Sequence, residues 1–278
     1  MRLATLVLIR RQSRRAWPEI FEEIDSGIVI ATLKEMLVPF LGFICMPLIF
    51  LINLQVYPVL IATFYGPALF AAFIASRILA RAIDQFCNSA YSILFNEFSY
   101  TDLSRLPSST VGLLGAATVV MGVVAIGALA LLALFGDWIF KVWAVGKVAF
   151  SMPLVLVLGL SALARALAVP SAALLSSRNA HVKMTIIYLL ASLIGISAGF
   201  GLGVANASFI WLGACVLFAE SAQLVVTIWV TARLLRLPTI TYVIQMIHLS
   251  PQYLNYIYEL ISASVFRKKK PQPPQAGA

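Results

Sequence analysis

The sequence predicts an all-α integral membrane protein built as one six-helix transmembrane bundle. Of its 278 residues, 61% are hydrophobic and only 11% are charged, and the mean hydropathy is +0.95. A soluble domain of this size could not remove so much apolar surface from water, so lipid must form part of its surroundings. Residues 111–135 contain no charged side chain, and about 20 apolar residues suffice for one membrane crossing.

The first two predicted spans follow a short polar segment. Residues 1–26 are basic and then acidic, which predicts a cytoplasmic N-terminal segment made of a surface helix and a linker. The turn sequence Tyr65-Gly66-Pro67 separates span one, residues 32–60, from span two, residues 68–95. Three prolines should kink the first span, which membrane helices tolerate when neighbours satisfy the freed backbone groups; these are Pro39, Pro47 and Pro58.

Four further spans complete a transmembrane lobe over residues 27–236. Residues 101–110 are polar and predict a loop, and the remaining spans are expected at residues 111–135, 150–175, 182–204 and 209–235. Residues 237–278 are then a cytoplasmic interfacial segment with a basic, Pro-rich tail. Tyr242, Tyr253, Tyr256 and Tyr258 suit the headgroup level, and the following basic cluster would attract anionic lipids.

A net charge of +9 is typical of proteins that bind nucleic acid, but here most basic residues flank the apolar spans, as charges that set membrane topology do. Nearly all of them lie in the connections on one side of the predicted bundle, and the connections on the other side contain only two basic residues, Lys141 and Lys147. By the positive-inside rule, this asymmetry predicts a multi-pass protein of the bacterial inner membrane with both termini cytoplasmic. The basic residues of the predicted cytoplasmic side are the five arginines before residue 16, Arg105, Arg178, Lys183, Arg233, Arg236, Arg267 and Lys268 to Lys270.

Charged and amide side chains inside the spans predict a polar cavity. On the second span, Arg77, Arg81, Asp84 and Asn88 fall within an arc of about 60° at 100° per residue. The fourth span adds Arg165. Such groups cost about 2.5–3.5 kcal/mol each at the bilayer centre, so they suggest a functional site.

The sixth span carries a second polar stripe of about 80°, formed by Glu220, Gln223, Thr227 and Thr231. One explanation of the charges is an internal network in which Asp84 pairs with Arg81 and Glu220 with Arg165. Three arginines nevertheless face two carboxylates, which leaves one positive charge for an anionic substrate group, because guanidinium binds phosphate bidentately.

Other side chains predict packing and no chemistry. Gly195, Gly199 and Gly203 recur every four residues, which lets neighbouring helices approach closely. The three cysteines lie in apolar runs, and His181 and His248 are expected to be solvated or interfacial. The sequence shows no phosphate-binding loop, metal-ligand cluster or catalytic triad, so we expect neither an enzyme nor a cofactor.

Several short motifs occur in a familiar order. Asn53-Leu54-Gln55 ends the first span, Tyr65-Gly66-Pro67-Ala68 forms the turn, and Arg77 follows. The later motifs are Asn96-Glu97-Phe98-Ser99, Asp137-Trp138-Ile139 and Ser176-Ser177-Arg178-Asn179. Over residues 27–236 the chain resembles the C-terminal half of a polysaccharide or O-antigen flippase of the multidrug/oligosaccharidyl-lipid/polysaccharide exporter superfamily, although Asn96 stands where that family usually has proline.

The resemblance implies a fold with two six-helix lobes around a central cationic cavity. It also implies the translocation of an undecaprenyl-pyrophosphate-linked oligosaccharide for lipopolysaccharide or other surface polysaccharide synthesis. Arg77, Arg81 and Arg165 would attract the pyrophosphate, with Asp84, Asn88, Glu220 and Gln223 as polar cavity partners. The expected partners are the lipid-linked oligosaccharide, membrane lipids, and a complementary N-terminal lobe or a second copy of the chain, with no nucleic acid.

Two alternatives remain open at the level of sequence. Half of a small-molecule cation exporter would fit the same superfamily, although such a protein should have an acid-rich cavity. A non-transporting membrane scaffold, or the remnant of a split gene, would fit the presence of a single lobe.

Overall fold

A computed structural model describes residues 26–100, 107–143, 148 and 150–266, and every regular element in these ranges is an α-helix. Of the six described helices, the first five are long and apolar enough to cross a membrane, as the sequence predicts. The N-terminal segment, most of the loop before the third span and the basic tail lie outside the described residues. The helices are α1 (Ser26–Tyr100), α2 (Pro107–Trp143), α3 (Met152–Ser177), α4 (Val182–Val204), α5 (Ile210–Leu234) and α6 (Thr239–Phe266).

Helix α1 contains both of the first two predicted spans, because its backbone breaks at Gly66. The φ of 83° and ψ of 175° at Gly66 are disfavoured for residues with a Cβ atom. On the two sides of this break, Arg77 contacts Leu54 and Arg81 lies over the ring of Phe50. These contacts join residues nearly equidistant from Gly66, so the two arms form a hairpin and α1 to α5 supply six crossing segments.

Two hydrogen bonds show which connections share an end of the bundle. The Tyr65 hydroxyl, beside the hairpin turn, donates to the carbonyl of Ala207 in the α4–α5 connection at 2.7 Å. At the far end of the second arm, Arg178 after α3 donates to the carbonyl of Phe98 at 2.9 Å. The connections therefore alternate between ends as the charge asymmetry predicts.

The predicted boundaries of α3, α4 and α5 hold to within two residues, whereas α1 begins six residues before the predicted first span and α2 extends beyond both ends of the predicted span at residues 111–135. Helix α2 begins at Pro107, inside the predicted loop at residues 101–110. Proline suits the first turn of a helix, where its missing N–H would have no partner in any case.

The glycines of α4 mark a close helix contact, which confirms their predicted packing role. A Cβ atom on Gly195 would lie 2.9 Å from the Tyr57 hydroxyl and 3.0 Å from the Cys215 carbonyl oxygen. A Cβ atom on Gly203 would clash with the ring of Phe64. Helix α4 thus packs directly against the first arm of α1 and against α5.

Helix α6 crosses one end of the bundle. Its buried face contacts the start of α2 and the last turns of α1, α3 and α5. Tyr256 donates to Glu97 at 2.8 Å, and Tyr242 lies 3.1 Å from the Ser171 hydroxyl. Burial raises the pKa of the Tyr242 phenol above its ordinary value, so this side chain stays protonated at neutral pH.

Of the four α6 tyrosines expected at the headgroup level, three have side chains that pack into the protein. Tyr242, Tyr253 and Tyr256 are buried against the bundle, and only Tyr258 is exposed, with 75% of its surface accessible. The physical reason is that the apolar rings fill the junction between helix ends while their hydroxyls find buried partners.

Of the solvated or interfacial positions expected for the two histidines, a solvated one is wrong for His181, whereas His248 is exposed. The His181 ring is fully buried and lies 4.0 Å from the Phe43 ring, measured between centroids. The imidazole fits here because residue 42 is a glycine. A Cβ atom on Gly42 would lie only 2.7 Å from the Nε2 atom of His181. The three cysteines are free thiols, and Cys87 and Cys215 are buried, in keeping with their predicted packing role.

Candidate functional site

The five charged side chains predicted from the spans line one small cavity. Arg77, Arg81 and Asp84 come from the second arm of α1, Arg165 from α3 and Glu220 from α5. Its volume of about 40 Å³ holds no more than a few water molecules. Three arginines and two carboxylates give this cavity a formal charge of +1.

A larger cavity of about 410 Å³ adjoins the charged one. Phe50 and Arg165 line both cavities, so they form the boundary between them. The predicted partners Asn88 and Gln223 line only the larger cavity. Its remaining lining is mainly aromatic and aliphatic, and includes Phe43, Met46, Tyr91, Val169 and Tyr188.

Arg165 is the centre of the charge network. Its Nε atom lies 3.7 Å from Asp84 Oδ1, and its Nη1 atom lies 3.9 Å from Glu220 Oε1. The guanidinium also stacks over the Phe50 ring at 4.5 Å. The predicted pairing of Glu220 with Arg165 is confirmed. The predicted pairing of Asp84 with Arg81 is wrong, because Asp84 lies across the helix interface from Arg165.

A chain of polar contacts that the sequence did not predict supports Glu220 from α4 and α1. The Tyr188 hydroxyl donates to Glu220 Oε1 at 2.8 Å. Asn53 Nδ2 lies 3.5 Å from that hydroxyl and donates to the Ser192 hydroxyl at 3.0 Å. Tyr188 and Ser192 are isolated polar residues in an apolar helix, and no spacing rule connects them to Glu220 on another element.

Arg77 is held by backbone oxygens of the other hairpin arm. Its Nη1 atom donates to the Leu54 carbonyl at 3.1 Å, and its Nη2 atom donates to the Asn53 carbonyl at 3.0 Å. Each terminal nitrogen of the guanidinium therefore donates one hydrogen bond to the backbone of the first arm. This distinguishes Arg77 from the other two arginines with which the sequence analysis grouped it.

Among the described residues, Arg81 has neither the carboxylate partners of Arg165 nor the carbonyl acceptors of Arg77. Within the described part of the chain, no carboxylate oxygen lies within 4 Å of its guanidinium, and its buried Nε atom has no hydrogen-bond partner. Its guanidinium carbon lies 5.6 Å from the centroid of the Phe50 ring. Arg81 thus presents free hydrogen-bond donors and a positive charge to the cavity.

Several buried oxygens around the cavity also have unused hydrogen-bonding capacity. Among the described residues, Asn53 Oδ1, Asp84 Oδ1, Glu220 Oε2 and Gln223 Oε1 have no hydrogen-bond partner. Buried polar atoms of this kind usually bond to water or to a ligand. The two cavities therefore form a polar site that is incomplete with protein groups alone.

Comparison of the chain with protein-family models, with curated proteins and with solved structures gave no match. Function must therefore be argued from the cavities and from the motifs in the sequence.

Proposed function

We propose that this chain is one lobe of a membrane transporter that flips a lipid-pyrophosphate-linked oligosaccharide during surface polysaccharide synthesis. The observation that carries the proposal is Arg81, a membrane-embedded arginine that lines a polar cavity and has no carboxylate partner among the described residues. An uncompensated guanidinium inside a membrane is expensive unless something anionic completes it. Pyrophosphate carries the opposite charge, and its oxygens can accept hydrogen bonds from the forked guanidinium.

The larger cavity fits the other part of such a substrate. Aromatic rings of Phe43, Phe50 and Tyr91 offer flat apolar surfaces, and the amides of Asn88 and Gln223 offer donors and acceptors. A sugar has both apolar faces and hydroxyl edges, so this lining suits a glycan next to the pyrophosphate. The volume of about 410 Å³ lies within the usual range for a small-molecule site.

We further propose that transport requires a second lobe. Alternating access in such folds works by rocking one bundle against another around a shared site. A second lobe would cover the cavity mouth. A complementary N-terminal lobe or a second copy of this chain would supply it.

The first experiment tests ligand chemistry in the purified full chain in detergent. Thermal unfolding is followed with undecaprenyl pyrophosphate, undecaprenyl phosphate or uncharged undecaprenol. We expect the pyrophosphate to raise the unfolding midpoint most and undecaprenol least. Arg81→Gln should abolish the pyrophosphate effect, and Arg81→Lys should weaken the apparent affinity by about tenfold, because lysine keeps the charge and loses the fork.

Arg233→Gln is the matched control, since Arg233 stacks on Trp229 and lines neither cavity. Equal midpoint shifts for all three lipids, or an unchanged pyrophosphate effect in Arg81→Gln, would contradict the proposal. A cation-exporter lobe would instead be stabilised by a lipophilic cation such as tetraphenylphosphonium, bound through Asp84 and Glu220. A scaffold would respond to none of these probes.

A further inference from the structure

Pro58 leaves a backbone acceptor without its normal donor inside the first arm of α1. In a helix, the N–H of residue 58 would bond to the carbonyl of Leu54, but proline has no N–H. Pro58 is buried, so water does not reach this turn freely. In a bilayer, each unsatisfied backbone group is strongly destabilising, and a neighbouring element has to supply the missing bond.

The neighbouring element is the second arm, and the donor is Arg77. Its Nη1 atom bonds to the Leu54 carbonyl, the acceptor that Pro58 releases, and its Nη2 atom bonds to the adjacent Asn53 carbonyl. The aromatic ring of Phe73 lies beneath the guanidinium, 5.9 Å from its carbon to the ring centroid. The forked guanidinium matches two carbonyls at successive positions, which a lysine cannot do.

We propose that Arg77 is a positioning residue that replaces the N–H missing at Pro58 and locks the two arms of α1 in register. One helical turn further along, the same register places Arg81 over Phe50, and Phe50 in turn forms the boundary between the two cavities. Arg77 therefore shapes the site through the backbone of the first arm. This inference is independent of the proposed function, because it requires only that the hairpin folds.

A double-mutant cycle on the full chain in detergent tests the assignment. Pro58→Ala restores an N–H that can bond to the Leu54 carbonyl within the helix. In the wild-type background, Arg77→Leu should lower the thermal midpoint by roughly 5–10 °C. In the Pro58→Ala background, the same change should lower it by less than half as much, and Arg77→Lys should give an intermediate loss in the wild-type background.

Pro47→Ala provides the matched control, because Pro47 lies in the same arm and would release the carbonyl of Phe43, to which Arg77 does not donate. Arg77→Leu should therefore be as damaging with Pro47→Ala as without it. If Arg77→Leu is recovered folded only together with Pro58→Ala, the assignment is supported. Equal losses in the Pro58→Ala and wild-type backgrounds, failure to fold in both, or equal rescue by Pro47→Ala would overturn it.

Discussion

At the scale of single residues, the three membrane arginines have three different environments. Arg165 faces two carboxylates, Arg77 faces two carbonyls, and Arg81 faces the cavity. The same side chain therefore balances charge at Arg165 and satisfies backbone carbonyls at Arg77, and we propose that it binds the ligand at Arg81. The role of each arginine depends on which groups from other parts of the chain lie close to its guanidinium.

Arg165 should be the most important of the three for stability, because among the described residues it is the cation that lies within 4 Å of both Asp84 and Glu220. Breaking a buried ion pair by removing one partner costs about 3–5 kcal/mol. Arg165→Gln should thus lower the thermal midpoint in detergent more than Arg81→Gln does. Adding Glu220→Gln should recover part of the loss, since the amide keeps an oxygen for the Tyr188 hydroxyl.

The exposed pair of Lys141 and Asp137 is a control for general effects of charge removal. Its atoms lie 2.6 Å apart, but the side chains are 70% and 57% accessible. Surface pairs contribute little, so Lys141→Gln should leave the midpoint nearly unchanged. If the Lys141 change lowered the midpoint as much as the Arg165 change, the buried network would contribute no more to stability than a surface pair.

At the scale of elements, the glycines of α4 determine how this apolar helix packs against its neighbours. Its glycines let Tyr57, Phe64 and the backbone of α5 approach its axis. Gly203→Ala would push a methyl group into the Phe64 ring, and overpacking of this kind costs about 1–3 kcal/mol. We expect a lower thermal midpoint for Gly203→Ala.

Gly201 lies on the same helix, and an added Cβ atom there has nothing within 4 Å. Gly201→Ala should leave the midpoint unchanged or raise it slightly, because alanine favours the helix more than glycine does. Similar losses at residues 201 and 203 would show that helix propensity, and not close packing, determines the outcome.

Helix α6 divides its surface into three sectors. At 100° per residue, the buried side chains cover an arc of about 120°, the exposed apolar and exposed polar side chains cover about 60° each, and partly buried side chains lie between these arcs. Such a division is typical of a helix at the meeting point of protein, lipid and water. The exposed apolar side chains are Ile240, Ile244, Ile247, Pro251 and Tyr258, and the exposed polar ones are Thr241, His248, Gln252, Asn255 and Glu259.

At the scale of the whole molecule, the alternation of connections makes a definite topology prediction. Reporter fusions after Gly66, Lys147 and Ala205 should report the periplasm, and fusions after Leu103 and Asn179 should report the cytoplasm. The physical reason is the excess of basic residues in one set of connections, which resist translocation. A reversed pattern would contradict the cytoplasmic placement of both termini and the direction of the proposed flipping.

The sequence by itself determined the class of protein and the approximate limits of its helices. Hydrophobicity, span length and turn residues such as Gly66 are local properties, and they predict local structure. The same local geometry placed Arg77, Arg81 and Asp84 on one face of a helix. For the same reason, the sequence predicted the five charged residues of the small cavity and the pairing of Glu220 with Arg165, but it assigned the wrong partner to Asp84.

Only the tertiary structure decided the partners. Asp84 pairs with Arg165 and not with Arg81, Arg77 bonds to the turn opened by Pro58, and His181 is buried where Gly42 leaves room. Each of these contacts joins residues on different helices or on different arms of one helix. Helical periodicity gives the face on which a side chain lies, whereas the group opposite that face depends on how the helices pack.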